Sequence, residues 1–218
     1  MSGSVEAPST DDRLLSWYVQ LVRRHVGRGP YLDYGCGSGA LLRRLAGLGP
    51  ASGLAVGVDP DAVRAAAPGC PVHESDDELP TDGFRSLVAI DVLDTVPADA
   101  VPRILLTWRR VVAPGGRLLV AVADPAGRGR ALTGSEWWAA RPGHSLRPHE
   151  DWSRLLTASG FTVVREGSDG LWRGPYGKVP ALLDTRRAPA LAQRGAGRLF
   201  LNPGEGERSV FILTHDPR

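Results

Sequence analysis

Residues 31–40 read YLDYGCGSGA, a short apolar run followed by glycine at every second position, Gly35, Gly37 and Gly39. A helix-like LLRRLAG follows at 41–47. With no Cβ, glycine lets a strand-to-helix turn curve tightly and brings its backbone close to a ligand. Twenty residues past Gly39, Asp59 ends the next apolar run, LAVGVD (54–59). A carboxylate at that spacing sits over a cofactor ribose and accepts from its hydroxyls. Gly35, Gly37 and Ala40 also satisfy the G-x-G-x-x-G/A spacing of dinucleotide sites, so the glycines alone do not choose the cofactor. Asp33, two residues before Gly35, does discriminate. Its charge would repel a pyrophosphate and would suit an ammonium or sulfonium.

Outward from this turn, helix and strand signals alternate. A helical stripe of Leu14, Leu15, Tyr18, Leu21 and Val22 marks residues 11–26, with Asp11 and Asp12 favouring its start. Further helices are expected at 39–48, at 61–67 before Pro68, at 99–112 ahead of APGG (113–116), and at 149–159 before Gly160. Strands are expected at YLDY (31–34), 54–59, PVHES (71–75), RSLVAID (85–91), RLLVAVAD (117–124), FTVVREG (161–167) and SVFILTHD (209–216). Near-continuous apolar strands separated by helices specify an α/β fold, a doubly wound, mostly parallel sheet covered on both faces. Residues 1–10 are polar and small and read as a flexible tail, leaving one domain over 11–218. Two stretches, 125–148 and 168–208, carry no clear element and read as acceptor-side lids or insertions.

Composition narrows the function. A chain of 218 residues, 42% hydrophobic and 23% charged, suits one soluble domain. Net charge is +2, and Lys178 is the sole lysine among 26 basic residues. Arginine in that proportion, beside abundant Ala, Gly and Pro, reads as the codon bias of a high-GC genome, and no basic stripe with interleaved aromatics points to nucleic acid. Nothing approaches an 18-residue apolar run, so no membrane span is expected. Two cysteines, Cys36 and Cys70, with no signal peptide, suggest a reduced, cytoplasmic protein.

Taken together, the motifs resemble the class I S-adenosylmethionine-dependent methyltransferases of the small-molecule type. YLDYGCGSG resembles that family's glycine motif, and VGVDP (56–60) its ribose-binding strand end. AIDVLDTVPA (89–98) resembles its fourth-strand motif, RRVVAPGGRLLV (109–120) the approach to its fifth strand, and HSLRPHEDWSRLLTASGF (144–161) the segment before its sixth. The likeness spans roughly residues 29–167 and the last strand. It implies a Rossmann-like seven-stranded sheet in the order 3-2-1-4-5-7-6 with strand 7 antiparallel. It also implies S-adenosylmethionine as cofactor. Asp33, Gly35 and Gly37 would hold the methionine moiety and Asp59 the ribose. Ser75, Asp76 or Asp77 would lie by the adenine; Asp76 and Asp77 read equally well as solvated loop charges. Asp91 and Val92 would close the site near the methyl group. Where the family often has Leu-Glu-His, this chain has Leu93, Asp94 and Thr95, which removes a histidine base from that position. Asp94 also suits a local turn.

Transfer to a hydroxyl needs a proton acceptor, and histidine titrates in the useful range. His25, in the first helix, and His215, in the C-terminal tail, are expected on the surface. His73 belongs to the adenine side and His149 to a helix-start region. His144 remains, matching a histidine frequent in related methyltransferases, as a candidate base or acceptor-positioning group. Trp137, Trp138, Trp172 and Tyr176 offer flat faces for a sugar or aromatic ring, and Arg141 a donor for hydroxyls or an anion; the aromatics suit packing of the lid itself equally well. Asp124 with Asp91 or His144 would be needed for a divalent ion, which the spacing alone does not show, so no metal is expected. The reading is methyl transfer, most simply to the oxygen of a saccharide or natural product, by a monomer or homodimer. An NAD-dependent oxidoreductase and a non-catalytic methyltransferase-like binding protein are the alternatives.

Overall fold

RLLVAVA packs in two directions at once. The computed structural model describes residues 10–48, 55–58, 70–127, 145–170 and 188–216. In it Leu118, Val120 and Val122 of strand β5 (Val112–Ala123) join the core on one face, and Leu119 and Ala121 the core on the other. A strand apolar at every position has no solvent side, so helices cover both faces.

Strands β1 (Tyr31–Tyr34), β2 (Ala55–Val58), β3 (Val72–His73), β4 (Phe84–Ile90), β5, β6 (Phe161–Ser168) and β7 (Arg208–His215) form one sheet in the order β3-β2-β1-β4-β5-β7-β6. The first five pair in parallel, and β7 runs antiparallel to β5 and β6. On one face lie α1 (Thr10–Leu21), with Leu14, Trp17, Tyr18 and Leu21 inward, and α2 (Ala40–Ala46), with Leu41, Leu42 and Leu45 inward. A π-helical turn, Val22–Val26, continues α1 and ends at Gly27. On the other face α3 (Val101–Val111) buries Val101, Ile104, Leu105, Trp108 and Val111, the three-and-four spacing of a helical stripe. Beside it α4 (His149–Ala158) buries Trp152 and Leu156, and Glu150 and Asp151 in its first turn complement the helix dipole.

Several expectations change. The stretch 168–208 is not without structure, since α5 (Ala188–Ala196) lies within it. Buried Gln193 on α5 accepts from the backbone of Phe200 and Leu201 and donates to Ser168, replacing ladder bonds where the chain is irregular. His215 is not on a surface tail. It is buried at the end of β7, with Nδ1 2.8 Å from the Val112 carbonyl. His25 lies in the π-helical turn and is half-buried. His149 does stand at the start of α4, and rather than capping it there the ring stacks on Phe211 at 4.5 Å and Nε2 lies 3.1 Å from Glu166. APGG is not a simple helix stop. β5 already starts at Val112, opposite Phe84, and Arg117 next opposes Ser86, so Ala113–Gly116 loop out of the ladder. The helix expected at 61–67 lies outside the described residues.

Candidate active site

The carboxyl ends of β1, β2, β3 and β4 meet at one edge of the sheet. There the glycine turn is tied to β2, with Gly35 N 2.7 Å and Cys36 N 3.2 Å from the Val58 carbonyl. Gly35, Gly37 and Gly39 all have left-handed backbone, with φ of +76°, +49° and +70°. Gly35 is further constrained by space, because a Cβ there would meet Val92 Cγ2 at 2.5 Å. Above this turn opens a cavity of about 520 Å³, lined among others by Tyr34, Gly35, Val58, Glu74, Ser75, Asp76, Asp91 and Val92. Its outer wall is Thr95, Val96, Pro97, Ala100, Arg103 and Ile104. This volume is ordinary for a small-molecule site.

Of the residues singled out from sequence, Gly35, Ser75, Asp76, Asp91 and Val92 converge on this cavity. Asp33 is buried on β1, two residues below the turn. Asp76 is buried and Asp77 exposed, which separates the two carboxylates. Ser75 caps the short 3-10 turn Asp76–Glu78 by accepting from Asp77 N. Asp59, Trp137, Trp138, Arg141, His144, Trp172 and Tyr176 lie outside the described residues.

The structure adds residues that no local spacing reveals. Tyr34, inside the motif itself, donates from its hydroxyl to Asp76 Oδ2 at 2.7 Å and meets Trp108 edge-on. Burial, then the bond to Asp76, pushes its phenol up from the ordinary range. Arg208, the first residue of β7, is fully buried and forks Asp91, Nε to Oδ1 at 2.7 Å and Nη2 to Oδ2 at 2.8 Å. Its third nitrogen reaches Asp169 Oδ2 at 3.1 Å. Asp169 Oδ1 accepts from the backbone of Glu207 and Arg208, and Tyr18 Oη lies 3.5 Å from Oδ2. Burial pushes the Asp169 carboxyl up, against the pull of Arg208. Asp91 has φ +56°, left-handed backbone that an aspartate tolerates better than most residues. A charged pair just before an apolar run, as in ERSVFI, was the available hint of Arg208.

Asp94 does more than favour a turn. Its Oδ2 accepts from Ala123 N at 3.1 Å, joining the loop after β4 to the end of β5. It is buried, and burial, with the nearby Asp91 charge, pushes it up to about 6. Asp124 is spent on Ala126 N and Ser209 Oγ. Among the described residues no three His, Cys, Asp or Glu side chains are arranged to hold a metal ion. Among the described residues neither Cys36 nor Cys70 forms a disulfide. No helix among the described residues is long and apolar enough to cross a membrane.

Strand order, glycine turn and cavity are those of a class I S-adenosylmethionine-dependent methyltransferase. The chain belongs to the methyltransferase domain family, whose model matches residues 10–166. A SAM-dependent methyltransferase from Thermotoga maritima, described as a possible histamine N-methyltransferase, superposes with a TM-score of 0.67 at 18% identity, covering 94% of this chain and 91% of that one. A Burkholderia thailandensis 1,6-didemethyltoxoflavin-N1-methyltransferase with bound S-adenosylhomocysteine gives 0.59 at 17%, covering 95% and 80%. Mitomycin 7-O-methyltransferase gives 0.59 at 20%, covering 92% of this chain and 53% of that one. No match was found among curated proteins. At these identities the structural likeness speaks for the fold.

S-adenosylmethionine is the cofactor of this class, and the residues present fit it. The turn is open where only glycine leaves room, a buried carboxylate stands below it, and acidic side chains line the cavity.

Proposed function

We propose that this enzyme methylates a hydroxyl oxygen of a small acceptor, a saccharide or a natural product. The single observation that carries the methyl-donor half of the reading is the convergence of Gly35, Ser75, Asp76, Asp91 and Val92 on one cavity, and the hydroxyl acceptor rests on the sequence reading of His144 and its neighbouring aromatics. When bound there, S-adenosylmethionine supplies a methyl carbon activated by positive sulfur. The protein's part is alignment, an effect that reaches about 7–11 kcal/mol in well-oriented systems. Asp33, Gly35 and Gly37 would hold the methionine moiety, Asp59 the ribose, and Ser75 and Asp76 the adenine. Asp91 and Val92 would border the methyl end. Both Asp91 oxygens accept from Arg208, and a carboxylate so engaged is a poor proton acceptor, so its contribution is fixed negative charge beside the sulfonium.

The proton of the acceptor hydroxyl is assigned to His144. Ser145, the next residue, donates to the Val96 carbonyl at 2.7 Å, against the cavity's outer wall, which supports that assignment. Trp137, Trp138, Arg141, Trp172 and Tyr176 are proposed to contact the acceptor. No metal is required in this scheme. We place the protein in the cytoplasm, as a monomer or homodimer, with no nucleic-acid partner.

Transfer of tritiated methyl from S-adenosylmethionine to a panel of glycans, phenols and amines tests the reading. Label on an alcohol or phenol is expected. Label confined to amines would replace O- by N-methylation, and failure to bind S-adenosylhomocysteine at millimolar concentration would remove the enzyme reading altogether.

A further inference from the structure

A second cavity, of about 560 Å³, opens at the opposite edge of the sheet, where β1, β4 and β5 begin. Its lining includes Arg28, Arg85 and Arg117 and, among the described residues, no carboxylate. Ala113–Gly116, looped out of the ladder between β4 and β5, form one wall. The loop is fixed by close approach, because a Cβ on Gly116 would meet Val112 Cγ1 at 2.6 Å and the Ala113 carbonyl at 2.8 Å.

The backbone that carries the arginines is also pinned. Ser86 Oγ donates to the Arg28 carbonyl at 3.0 Å, and Arg85 N and Ser86 N both donate to the Pro30 carbonyl. Arg117 Nη1 donates to the His25 carbonyl at 2.7 Å. Among the described residues no carboxylate pairs with Arg28 or Arg85. The surrounding field is positive as well. The His25 imidazole is pushed down first by burial and then by Arg165, Arg24 and Arg117.

We propose that this cavity binds a compact oligophosphate, free or as the phosphate chain of a larger molecule, separately from the cofactor pocket. Guanidinium groups fork phosphate oxygens in pairs, and three of them around one chamber match an anion carrying several charges rather than one. The chamber volume falls within the range of small-molecule sites. The inference is independent of which acceptor is methylated.

Calorimetric titration of the full chain with inorganic tripolyphosphate, at constant ionic strength, tests it. Saturable one-site binding is expected, and orthophosphate should bind more weakly. Arg28→Gln with Arg85→Gln, whose side chains hold no other hydrogen bond in the described structure, should weaken tripolyphosphate roughly tenfold or more while leaving S-adenosylhomocysteine binding intact. Arg154→Gln on α4, a control that removes a surface arginine outside the cavity, should change neither. Uptake that never saturates, equal loss in the Arg154→Gln chain, or displacement of tripolyphosphate by S-adenosylhomocysteine would each overturn the proposal. Comparable affinity for tripolyphosphate and ATP would assign recognition to the phosphates alone; ATP binding that survives the double substitution would overturn it.

Discussion

Arg208 and Asp91 stand 117 residues apart in sequence, and the guanidinium of one holds both carboxylate oxygens of the other, at 2.7 and 2.8 Å. The contact exists because β7 runs antiparallel, which brings its first residue to the edge where β4 ends. Arg208 there faces Asp91 and Asp169 together, with Glu207 Oε2 at 4.0 Å, so one buried cation offsets several carboxylates.

Removing that cation leaves buried negative charge without compensation, a loss that typically costs about 3–5 kcal/mol. Arg208→Met is therefore expected to lower unfolding free energy by that amount in urea titration. Adding Asp169→Asn should recover part of it. A loss under about 1 kcal/mol for Arg208→Met would mean that Asp91 and Asp169 do not depend on it.

Asp94 makes a pH prediction. Its folded carboxyl titrates near 6, above the ordinary value of about 3.9 for an unfolded chain. A raised acid binds its proton more tightly when folded, so its contribution is greatest below about pH 4 and is lost as pH rises through 6. Asp94→Asn should consequently be more stable than the parent at pH 7.5, by up to about 3 kcal/mol, with the gap closing near pH 4. Thermal unfolding at both pH values reads this directly, and a gap that does not vary with pH would remove Asp94 as its source.

Gly35→Ala tests the cradle. The new methyl would meet Val92 Cγ2 at 2.5 Å and would sit on backbone at φ +76°. Affinity for S-adenosylhomocysteine should fall roughly tenfold or more, since a strained left-handed residue alone costs about 1–3 kcal/mol. Adding Val92→Ala should restore part of the loss, the steric part, and no restoration would assign the effect to backbone strain alone.

The sheet was legible because its central strands carry near-continuous apolar runs, Leu87–Ile90 and Leu118–Ala123, and its glycine turn is local. Strand order came through the family resemblance, while the covering of both faces followed from the apolar run of β5, which packs into both cores. The cavity's Gly35 was legible from the local glycine turn, whereas Ser75, Asp76, Asp91 and Val92 came through the family resemblance. What escaped was non-local or unpatterned. Arg208 reaches Asp91 through topology rather than spacing. His215 looked like tail because it stands beside the polar Asp216-Pro217, and its carbonyl partner, Val112, lies across the sheet where spacing does not reveal it. α5 was hidden by Gly195 and Pro189, the two poorest helix formers, and tertiary bonds through Gln193 hold it in place.

The proposed division of labour between Asp59 and His144 predicts opposite kinetic signatures. Asp59 is assigned to the ribose, so Asp59→Ala should weaken S-adenosylhomocysteine by roughly 1.5–3 kcal/mol, the range of a lost charged hydrogen bond. His144 is assigned to the acceptor's proton, so His144→Ala should leave that affinity nearly unchanged while turnover drops by about 100-fold or more. The turnover lost should also recover as pH is raised, because a more acidic solution is where an unassisted hydroxyl is hardest to deprotonate. Calorimetry and a methyl-transfer assay on the same two variants separate the roles. Unchanged affinity in Asp59→Ala would refute the ribose assignment, and full activity in His144→Ala would take that histidine out of the mechanism.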